Sequence, residues 1–379
     1  MRILILNWRC PRNPKAGGAE IVTFEIARRL VADSHFVEWF ASSFPGAEAT
    51  EDMDGVRIVR AGRQWTVHWA AFRHYRGRLR GRFDVVIDQV NTIPFFTPLW
   101  ADVPSFMFIH QLAREVWWYE SRFPVNAIGY LLEPLFLRLY RRTPAFTESH
   151  STQQDLLRLG FSAAITIVPP GLESAVTFSG AKCDIPTFLY VGRIAPSKRI
   201  EHILLAFEQF RVSAGTGQLW LVGTGNPSYR RALQALVDRK GLSSVVRFWG
   251  KLPTLEKHRL MTEAHLLLMA SVREGWGLVV TEANALGTPA IVYDVPGLRD
   301  AVRNRETGLV VHPSPEKLGE AMLELWRDPA MYQLVGKRAQ QWSRTFSFDD
   351  AAKIIFERIV HVTEGVHQRM EVHATRPHQ

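Results

Sequence analysis

Cysteine is scarce in this sequence: Cys10 and Cys183 are the only two among 379 residues. Their wide separation excludes a disulfide framework and matches no zinc-binding spacing. We therefore expect both to be buried small apolar residues, and their scarcity favours a reducing compartment.

Long hydrophobic runs are also lacking. No apolar run approaches the ~20 residues of a membrane-spanning helix. The N-terminus, MRILILNW, has an apolar run too brief for a signal peptide and is followed at once by polar residues, so it predicts a buried strand. With 46% hydrophobic and 22% charged residues, the composition is that of a globular protein, and we expect a cytoplasmic location.

Acidic residues are absent between Gly55 and Phe83, a stretch with eight arginines in a chain of net charge +9. Trp65, Trp69 and Phe72 have helical spacing within it. Basic aromatic segments of this kind often lie on anionic membranes, so peripheral contact with the inner membrane face is one expectation. A solvated basic face over aromatic core residues is the other. No nucleic-acid-binding module pattern is present, and we expect no nucleic-acid partner.

The length exceeds what one hydrophobic core usually supports, which favours two domains. Apolar strands alternate with amphipathic helices in both halves, as in doubly wound α/β folds. We predict Rossmann-like domains at 1–170 and 187–345, joined by a proline- and glycine-marked linker at 169–186. Parallel strands place ligands at their carboxyl ends, so two such domains facing each other predict an active-site cleft between them. A C-terminal helix, 348–363, is expected to pack back on the first domain.

The predicted strands are Arg2–Leu6, Val37–Ala41, Val56–Arg60, Val85–Asp88, Ser105–His110, Ala145–Glu148 and Ile165–Val168 in the first half, and Thr187–Val191, Leu219–Val222, Val245–Trp249, Leu266–Met269 and Ala290–Val292 in the second.

The most informative segment runs from Ser271 to Val311 and contains two glutamates, Glu274 and Glu282. A Gly-Trp-Gly loop follows Glu274 and leads into a helical run. The start of a helix after such a loop offers backbone N–H groups and the positive end of the helix dipole to a phosphate. Glu282 is expected about two turns into the helix, so that both carboxylates point towards one ligand. A diphosphate with hydroxyl-rich groups on either side, as in a nucleotide-sugar, would use all these parts.

This string, ending in Gly287-Thr288-Pro289, resembles glycosyltransferase family 4, whose members are retaining enzymes of the GT-B fold that use activated-sugar donors. The resemblance implies that Glu274 holds sugar hydroxyls and Glu282 the ribose hydroxyls. We expect a glycan or lipid-linked acceptor, and transfer without a cofactor or metal. The resemblance is strong in the second half of the chain and loose in the first.

Other parts of the chain fit the same family. Gly192-Arg193 and Lys198 match the segment that holds the donor diphosphate, with Arg199 in place of the usual glycine. Gly17-Gly18 resemble the glycine loop that contacts diphosphate or acceptor, and His110 the histidine that hydrogen-bonds the donor sugar. The residues assigned to donor binding are Gly17, Gly18, Gly192, Arg193, Lys198, Gly223, Gly225, Trp249, Gly250, Glu274, Gly275, Trp276, Gly277, Leu278, Val279 and Glu282; the catalytic roles fall to Glu274, His110, Arg193 and Lys198.

A dinucleotide fingerprint at Gly223-x-Gly225 lacks its third glycine. Asp52-Met53-Asp54 could be a metal motif but, followed by Gly55, better fits a hairpin turn. A phosphorylase, a nucleotide-sugar epimerase and a non-catalytic nucleotide-sugar-binding protein share the fold and stay open, whereas a glycosidase fits the phosphate-binding loop poorly. The apolar-basic stretch 128–142 could line a lipid-linked acceptor site or form a core helix.

Overall fold

The computed structural model describes residues 1–172 and 180–374, with side chains as far as 365. The chain forms two compact units: Met1–Leu112, Leu131–Gly171 and Ser347–Gln379 make the first, and Ala113–Tyr130 and Leu172–Phe346 the second. Residues 113–130, expected in the first domain, thus belong with the second unit. The predicted linker lies partly outside the described residues.

The first unit contains an eight-stranded sheet in the order β3-β4-β2-β1-β5-β6-β7-β8. Its strands are β1 Arg2–Leu6, β2 Phe36–Ala41, β3 Thr50–Met53, β4 Val56–Arg60, β5 Val85–Gln89, β6 Ser105–Phe108, β7 Ala145–Thr147 and β8 Ile165–Ile167. All neighbours pair in parallel except β3 and β4.

The second unit contains a six-stranded parallel sheet in the order β11-β10-β9-β12-β13-β14. Its strands are β9 Thr187–Val191, β10 Gln218–Val222, β11 Val246–Gly250, β12 Leu266–Met269, β13 Ala290–Tyr293 and β14 Gly308–Val311. β9, β12 and β13 are continuous apolar runs buried along their whole length, as expected of parallel strands covered by helices on both faces. The two sheets with their covering helices confirm the predicted pair of Rossmann-like domains.

The helices are α1 Gly18–Ala32, α2 Val67–His74, α3 Val116–Glu120, α4 Val125–Arg138, α5 His150–Arg158, α6 Ile200–Ala214, α7 Pro227–Arg239, α8 Thr254–Glu263, α9 Leu278–Ala285, α10 Pro315–Arg327, α11 Pro329–Ser343 and α12 Phe348–Ala374. A π-helical turn, Tyr75–Leu79, extends α2, and a 3₁₀ turn, Pro196–Lys198, precedes α6. Among the described residues, no helix is both long and apolar enough to cross a membrane.

The C-terminal helix α12 belongs to the first unit and packs on α1. Arg29 on α1 forms ion pairs with Glu25 and with Asp349 of α12. The His35 ring stacks on Phe356 with 4.3 Å between ring centroids.

The Asp52-Met53-Asp54 sequence forms a hairpin, as predicted. β3 and β4 pair antiparallel across a two-residue loop. Asp54 and Gly55 both have positive φ, 49° and 80°, as two-residue hairpin loops with a type I′ turn require. The Gly55 N–H donates to Asp52 Oδ1 at 3.0 Å, so one of the two carboxylates is part of the turn.

Both cysteines are free thiols. Cys10 is fully buried, and Cys183, against expectation, is only partly so.

Candidate functional site

The second unit has its topological switch point at β9, whose neighbours are β10 on one side and β12 on the other. In open parallel sheets a ligand binds where the loops leaving such neighbouring strands part to opposite faces of the sheet. The loop after β9 carries Arg193 and Lys198, and the loop after β12 carries Glu274. The fold therefore brings these three predicted residues to one place.

Lys198 and Glu274 meet directly across this switch point. Lys198 Nζ lies 2.5 Å from Glu274 Oε1, with about one sixth of each side chain exposed. Ser271, fully buried, donates its hydroxyl to the same carboxylate oxygen at 2.6 Å. Sequence reasoning missed Ser271, which fixes the orientation of Glu274. The predicted phosphate-binding cation and sugar-binding carboxylate thus form one cluster.

Arg193 extends from the end of β9 with 63% of its side chain exposed. Its backbone carbonyl accepts a hydrogen bond from the Tyr190 hydroxyl at 2.7 Å. Burial raises the pKa of Tyr190, with a further contribution from the negative charge of Glu274, so this hydroxyl stays protonated and can donate. The backbone at Arg193 is held in place while its guanidinium reaches solvent.

The Gly-Trp-Gly loop ends at Gly277, the residue before the first turn of α9. Gly277 has φ of +105°, which side chains strongly disfavour. The first N–H groups of a helix have no acceptor within the helix, so those of Leu278 and Val279 are directed out of its N-terminus. The Trp276 indole is buried in the core and donates to Thr281 at 2.9 Å. Trp276 can therefore serve the site only through its backbone.

Glu282 lies closer to the start of the helix than the sequence suggested. α9 has eight residues and Glu282 is its fifth, little more than one turn in rather than two. Its Oε2 lies 2.7 Å from Lys257 Nζ on α8, with both side chains about a quarter exposed. Lys257 is not part of any motif in the sequence, so this partner of Glu282 was not predicted. The structure places Glu282 in this ion pair and Glu274 in the one with Lys198.

Glycines stand at the carboxyl ends of the strands beside β9. A Cβ on Gly223 would lie 1.9 Å from the Gly192 carbonyl oxygen, so only glycine allows the two loops to approach. Gly223 also donates its N–H to the Gly250 carbonyl at 2.7 Å. Gly225 forms a bridge with Ile194 in the loop after β9. The backbones of these predicted glycines and of Gly192 pack closely together next to Arg193.

Trp249 points elsewhere. Its ring packs edge-to-face on Trp220 at 5.9 Å, and the Arg247 guanidinium lies 3.7 Å above it. These side chains line a cavity of about 430 Å³ that also includes Gln218 and Ser243, at the amino-terminal ends of β10 and β11. Trp249 is among the residues assigned to donor binding, but its indole lines this cavity, and a role in donor binding stays a prediction.

A segment before α4 lies over Arg193 and Ser197. Glu120, at the end of α3, has its Oε2 3.5 Å from Arg193 Nη1, and its Oε1 accepts a hydrogen bond from Ser197 at 2.5 Å. Glu115, earlier in the segment, pairs with Arg273 at 2.9 Å. Burial tends to raise the pKa of Glu115, but the hydrogen bond and charge of Arg273 outweigh it and lower that pKa. A carboxylate thus stands where the sequence predicts a diphosphate.

The remaining predicted residues, in the first unit, follow β1. Gly17 precedes α1 and Gly18 begins it. The Gly17 N–H donates to Glu20 Oε2 at 2.7 Å, and buried Glu20 also pairs with Arg9 at 3.0 Å. Asn91, in the loop after β5, donates to Glu20 Oε1 at 3.2 Å. Glu20, which sequence reasoning missed, holds the glycine loop in place by accepting the hydrogen bond from the Gly17 N–H.

His110 lies two residues beyond β6, which ends at Phe108 rather than at His110. Its Nδ1 lies 2.7 Å from Glu148 Oε1 and its Nε2 lies 2.9 Å from Gln89 Oε1. The ring is buried and stacks on Phe108. Both ring nitrogens are hydrogen-bonded to protein side chains, so His110 has a structural role in this arrangement. A hydrogen bond from His110 to a donor sugar stays a prediction and requires Gln89 to release Nε2.

Comparison with known proteins identifies the family. Residues 178–342 match the family described as "Glycosyl transferases group 1", and residues 16–175 match "Glycosyltransferase Family 4". The chain is 32% identical to a D-inositol 3-phosphate glycosyltransferase of Streptomyces bingchenggensis, over 96% of this chain and 89% of that protein. The chain belongs to glycosyltransferase family 4, as its motifs indicated. Against another protein of that name, from Segniliparus rotundus, it is 28% identical but spans only 45% of the relative's length.

Solved structures show the same fold. Sucrose-phosphate synthase from Thermosynechococcus elongatus superposes with a TM-score of 0.80 at 21% identity, over 96% of this chain and 99% of that one. HepE of Anabaena in complex with UDP-glucose superposes with a TM-score of 0.75 at 16% identity, over 95% of this chain and 100% of that one. At these identities the likeness shows the fold, which is GT-B.

Proposed function

We propose that the protein transfers a sugar, with retention of anomeric configuration, from a nucleotide-diphosphate-sugar donor to a glycan or lipid-linked acceptor. The observation that carries the proposal is the contact between Lys198 and Glu274 at the β9–β12 switch point, next to the N-terminus of α9. A cation and the N–H groups at the start of a helix match the diphosphate of such a donor, and a carboxylate matches the hydroxyls of its sugar. The complex of HepE with UDP-glucose supports a donor of this class.

The reaction breaks the bond between the anomeric carbon and the diphosphate oxygen. Negative charge grows on the leaving diphosphate while the sugar becomes oxocarbenium-like. Arg193, Lys198 and the α9 N-terminus are positive groups placed to stabilise this charge. Each charge-assisted hydrogen bond contributes ~1.5–3 kcal/mol, so three of them remove a large part of the barrier. The acceptor hydroxyl forms its bond to the anomeric carbon on the face that the diphosphate leaves, its proton passes to the departing phosphate oxygen, and no protein nucleophile is required.

Two substitutions separate the roles of the glutamates. Glu274→Ala removes the carboxylate that orients the sugar and pairs with Lys198, so turnover should fall strongly while the fold persists. Glu282→Ala should mainly weaken donor binding, seen as a raised donor KM. Glu256→Ala, which breaks a surface ion pair with Arg259 on α8, is the matched control and should leave both constants unchanged. Near-normal turnover of Glu274→Ala would contradict the assignment.

The donor class is best measured by calorimetric binding of UDP, GDP, ADP and dTDP to the wild type and to Arg193→Ala. We expect one nucleotide to bind and the substitution to weaken it. Product formed from donor alone, with no acceptor present, would identify an epimerase instead. Absence of binding by all four nucleotides would contradict the proposed donor site.

We further propose that transfer needs no metal or other cofactor, because protein cations supply the charge that a divalent ion would otherwise provide. Initial rates measured with EDTA should equal those with added Mg²⁺. A strict dependence on Mg²⁺ would overturn this part of the proposal.

Two exposed surfaces support an acceptor at a membrane. In the 55–83 segment, Trp65 and Trp69 are 77% and 62% exposed among arginines. On α4, Leu131 and Leu135 are 67% and 49% exposed, so this helix is not simply a core element. Apolar side chains beside arginines favour an anionic lipid surface. Binding to anionic vesicles at low salt tests this, and a failure to bind would contradict it.

A further inference from the structure

A polar cavity lies in the first unit, away from every residue assigned to transfer. It has a volume of about 260 Å³. Four arginines contribute to its lining: Arg2, Arg57, Arg78 and Arg82. Arg2 begins β1 and Arg82 lies just before β5, so the cavity is at the amino-terminal ends of these strands. Gly17 and His110 follow the carboxyl ends of β1 and β6, at the opposite end of the sheet.

Glu38 is the one carboxylate in this lining. It projects from β2, is 97% buried, and has an Oε1 atom that finds no hydrogen-bond partner in the described part of the chain. The neighbouring basic side chains are too distant for hydrogen bonds: His74 Nε2 is 3.8 Å from Oε1 and Arg57 Nε is 3.7 Å from Oε2. A buried carboxylate oxygen without a donor is costly, so it calls for a donor from a bound molecule.

One water would not fill this space. A water molecule occupies about 30 Å³ in the liquid, so the cavity has room for several waters or for a phosphate group with a small polar substituent. Arg2 is already positioned for such a group. Its Nε donates to the Arg82 carbonyl at 2.6 Å, and its guanidinium lies 4.3 Å from the centre of the Phe36 ring. Guanidinium groups held in this way match phosphate oxygens.

A second depression, of about 500 Å³, adjoins the cavity and shares His74 and Arg78 with it. Its lining includes Trp69, Ala70 and Ala61. The π-helical turn Tyr75–Leu79 carries Arg78, and such turns frequently occur at functional sites. A charged cavity beside a partly apolar depression fits an amphiphile better than a free ion.

We propose that the cavity binds the headgroup of an anionic phospholipid, with the phosphate on the arginines and a headgroup hydroxyl or ammonium donating to Glu38. The same chemistry is present in a soluble phosphate ester. The choice of a lipid source rests on the membrane contact proposed above, whereas the phosphate site itself does not depend on that contact or on glycosyl transfer.

The test compares phosphatidylcholine vesicles containing phosphatidylglycerol with vesicles containing the same amount of phosphatidylmethanol. Both lipids carry one negative phosphate, but only the glycerol headgroup has hydroxyls to donate. In co-sedimentation the wild type should prefer phosphatidylglycerol, and Glu38→Gln should lose that preference. Arg82→Ala should weaken binding about tenfold, the loss of one charge-assisted contact. Arg76→Ala, which removes an exposed arginine that lines neither cavity, should have a much smaller effect.

Equal binding to both vesicles, or equal losses from Arg82→Ala and Arg76→Ala, would show non-specific attraction and overturn the proposal. Calorimetry with sn-glycerol 3-phosphate distinguishes the sources. Binding of this ester, lost in Arg82→Ala and without any vesicle preference, would support the phosphate site and overturn its lipid occupant. None of these measurements involves a sugar donor, so they fail or succeed independently of the transfer reaction.

Discussion

Replacing Glu120 with glutamine should tighten binding of the donor nucleotide. Glu120 lies 3.5 Å from the Arg193 guanidinium and accepts a hydrogen bond from Ser197, so its carboxylate occupies groups that a diphosphate would use. A diphosphate on Arg193 would have to displace this carboxylate or bind beside it. Glutamine is nearly the same size but has no charge, and therefore removes the competition without removing the side chain.

The size of the effect depends on the repulsion between the Glu120 carboxylate and the diphosphate, and on how exposed Arg193 is to solvent. Two like charges about 6 Å apart, on either side of one guanidinium, repel by about 3 kcal/mol at an effective dielectric constant of about 20. Arg193 is 63% exposed, so solvent screening reduces this to about 1–2 kcal/mol. Glu120→Gln should therefore lower the Kd of the nucleotide diphosphate about tenfold.

The assay is calorimetric titration of the preferred nucleotide diphosphate into the wild type and two variants. Glu115→Gln is the matched control, because it breaks the ion pair of the same segment with Arg273 but leaves Arg193 and Ser197 paired. An unchanged or weaker affinity in Glu120→Gln would refute the competition. Equal tightening in both variants would show that the segment as a whole, and not its carboxylate at position 120, limits binding.

Two further predictions concern stability. Arg199 has a left-handed φ of +49°, so Arg199→Gly should be more stable than Arg199→Ala by about 1 kcal/mol in urea unfolding; equal stabilities would show that the backbone there is not strained. Burial, with help from the charge of Lys182, lowers the pKa of His265 from 6.5 to about 4. The unfolded chain therefore binds the extra proton first as pH falls, so the wild type should lose stability between pH 6.5 and 4 more steeply than His265→Asn, and parallel curves would contradict this.

The sequence predicted the strands well because parallel strands are continuous apolar runs. β1, β4, β9 and β12 begin and end where predicted. β6 is shorter than predicted, because the polar His110 at the end of its apolar run is held by Gln89 and Glu148 and not by strand pairing. β3, which is polar, was not predicted as a strand; only the turn that follows it was.

The candidate site was predictable where a motif carried it. Lys198 and Glu274 stand in recognisable strings, and the switch point brings them together. The partners of Glu282 and Arg193 were not predictable, because Lys257 and Glu120 reach them through packing between elements distant in sequence. Trp249 illustrates the same limit: the position of its strand was clear, but the direction of its ring depended on Trp220 and Arg247.

The segment 113–130 has a consequence for how this chain can be divided and recombined. Along the chain it lies between two stretches of the first unit, yet it belongs with the second unit. A chimera spliced near residue 171 would combine one parent's Glu115 and Glu120 with another parent's counterparts of Arg273 and Ser197. Exchanging the second unit between relatives therefore means moving two pieces of chain, and a single crossover would mismatch these contacts even if both halves folded well.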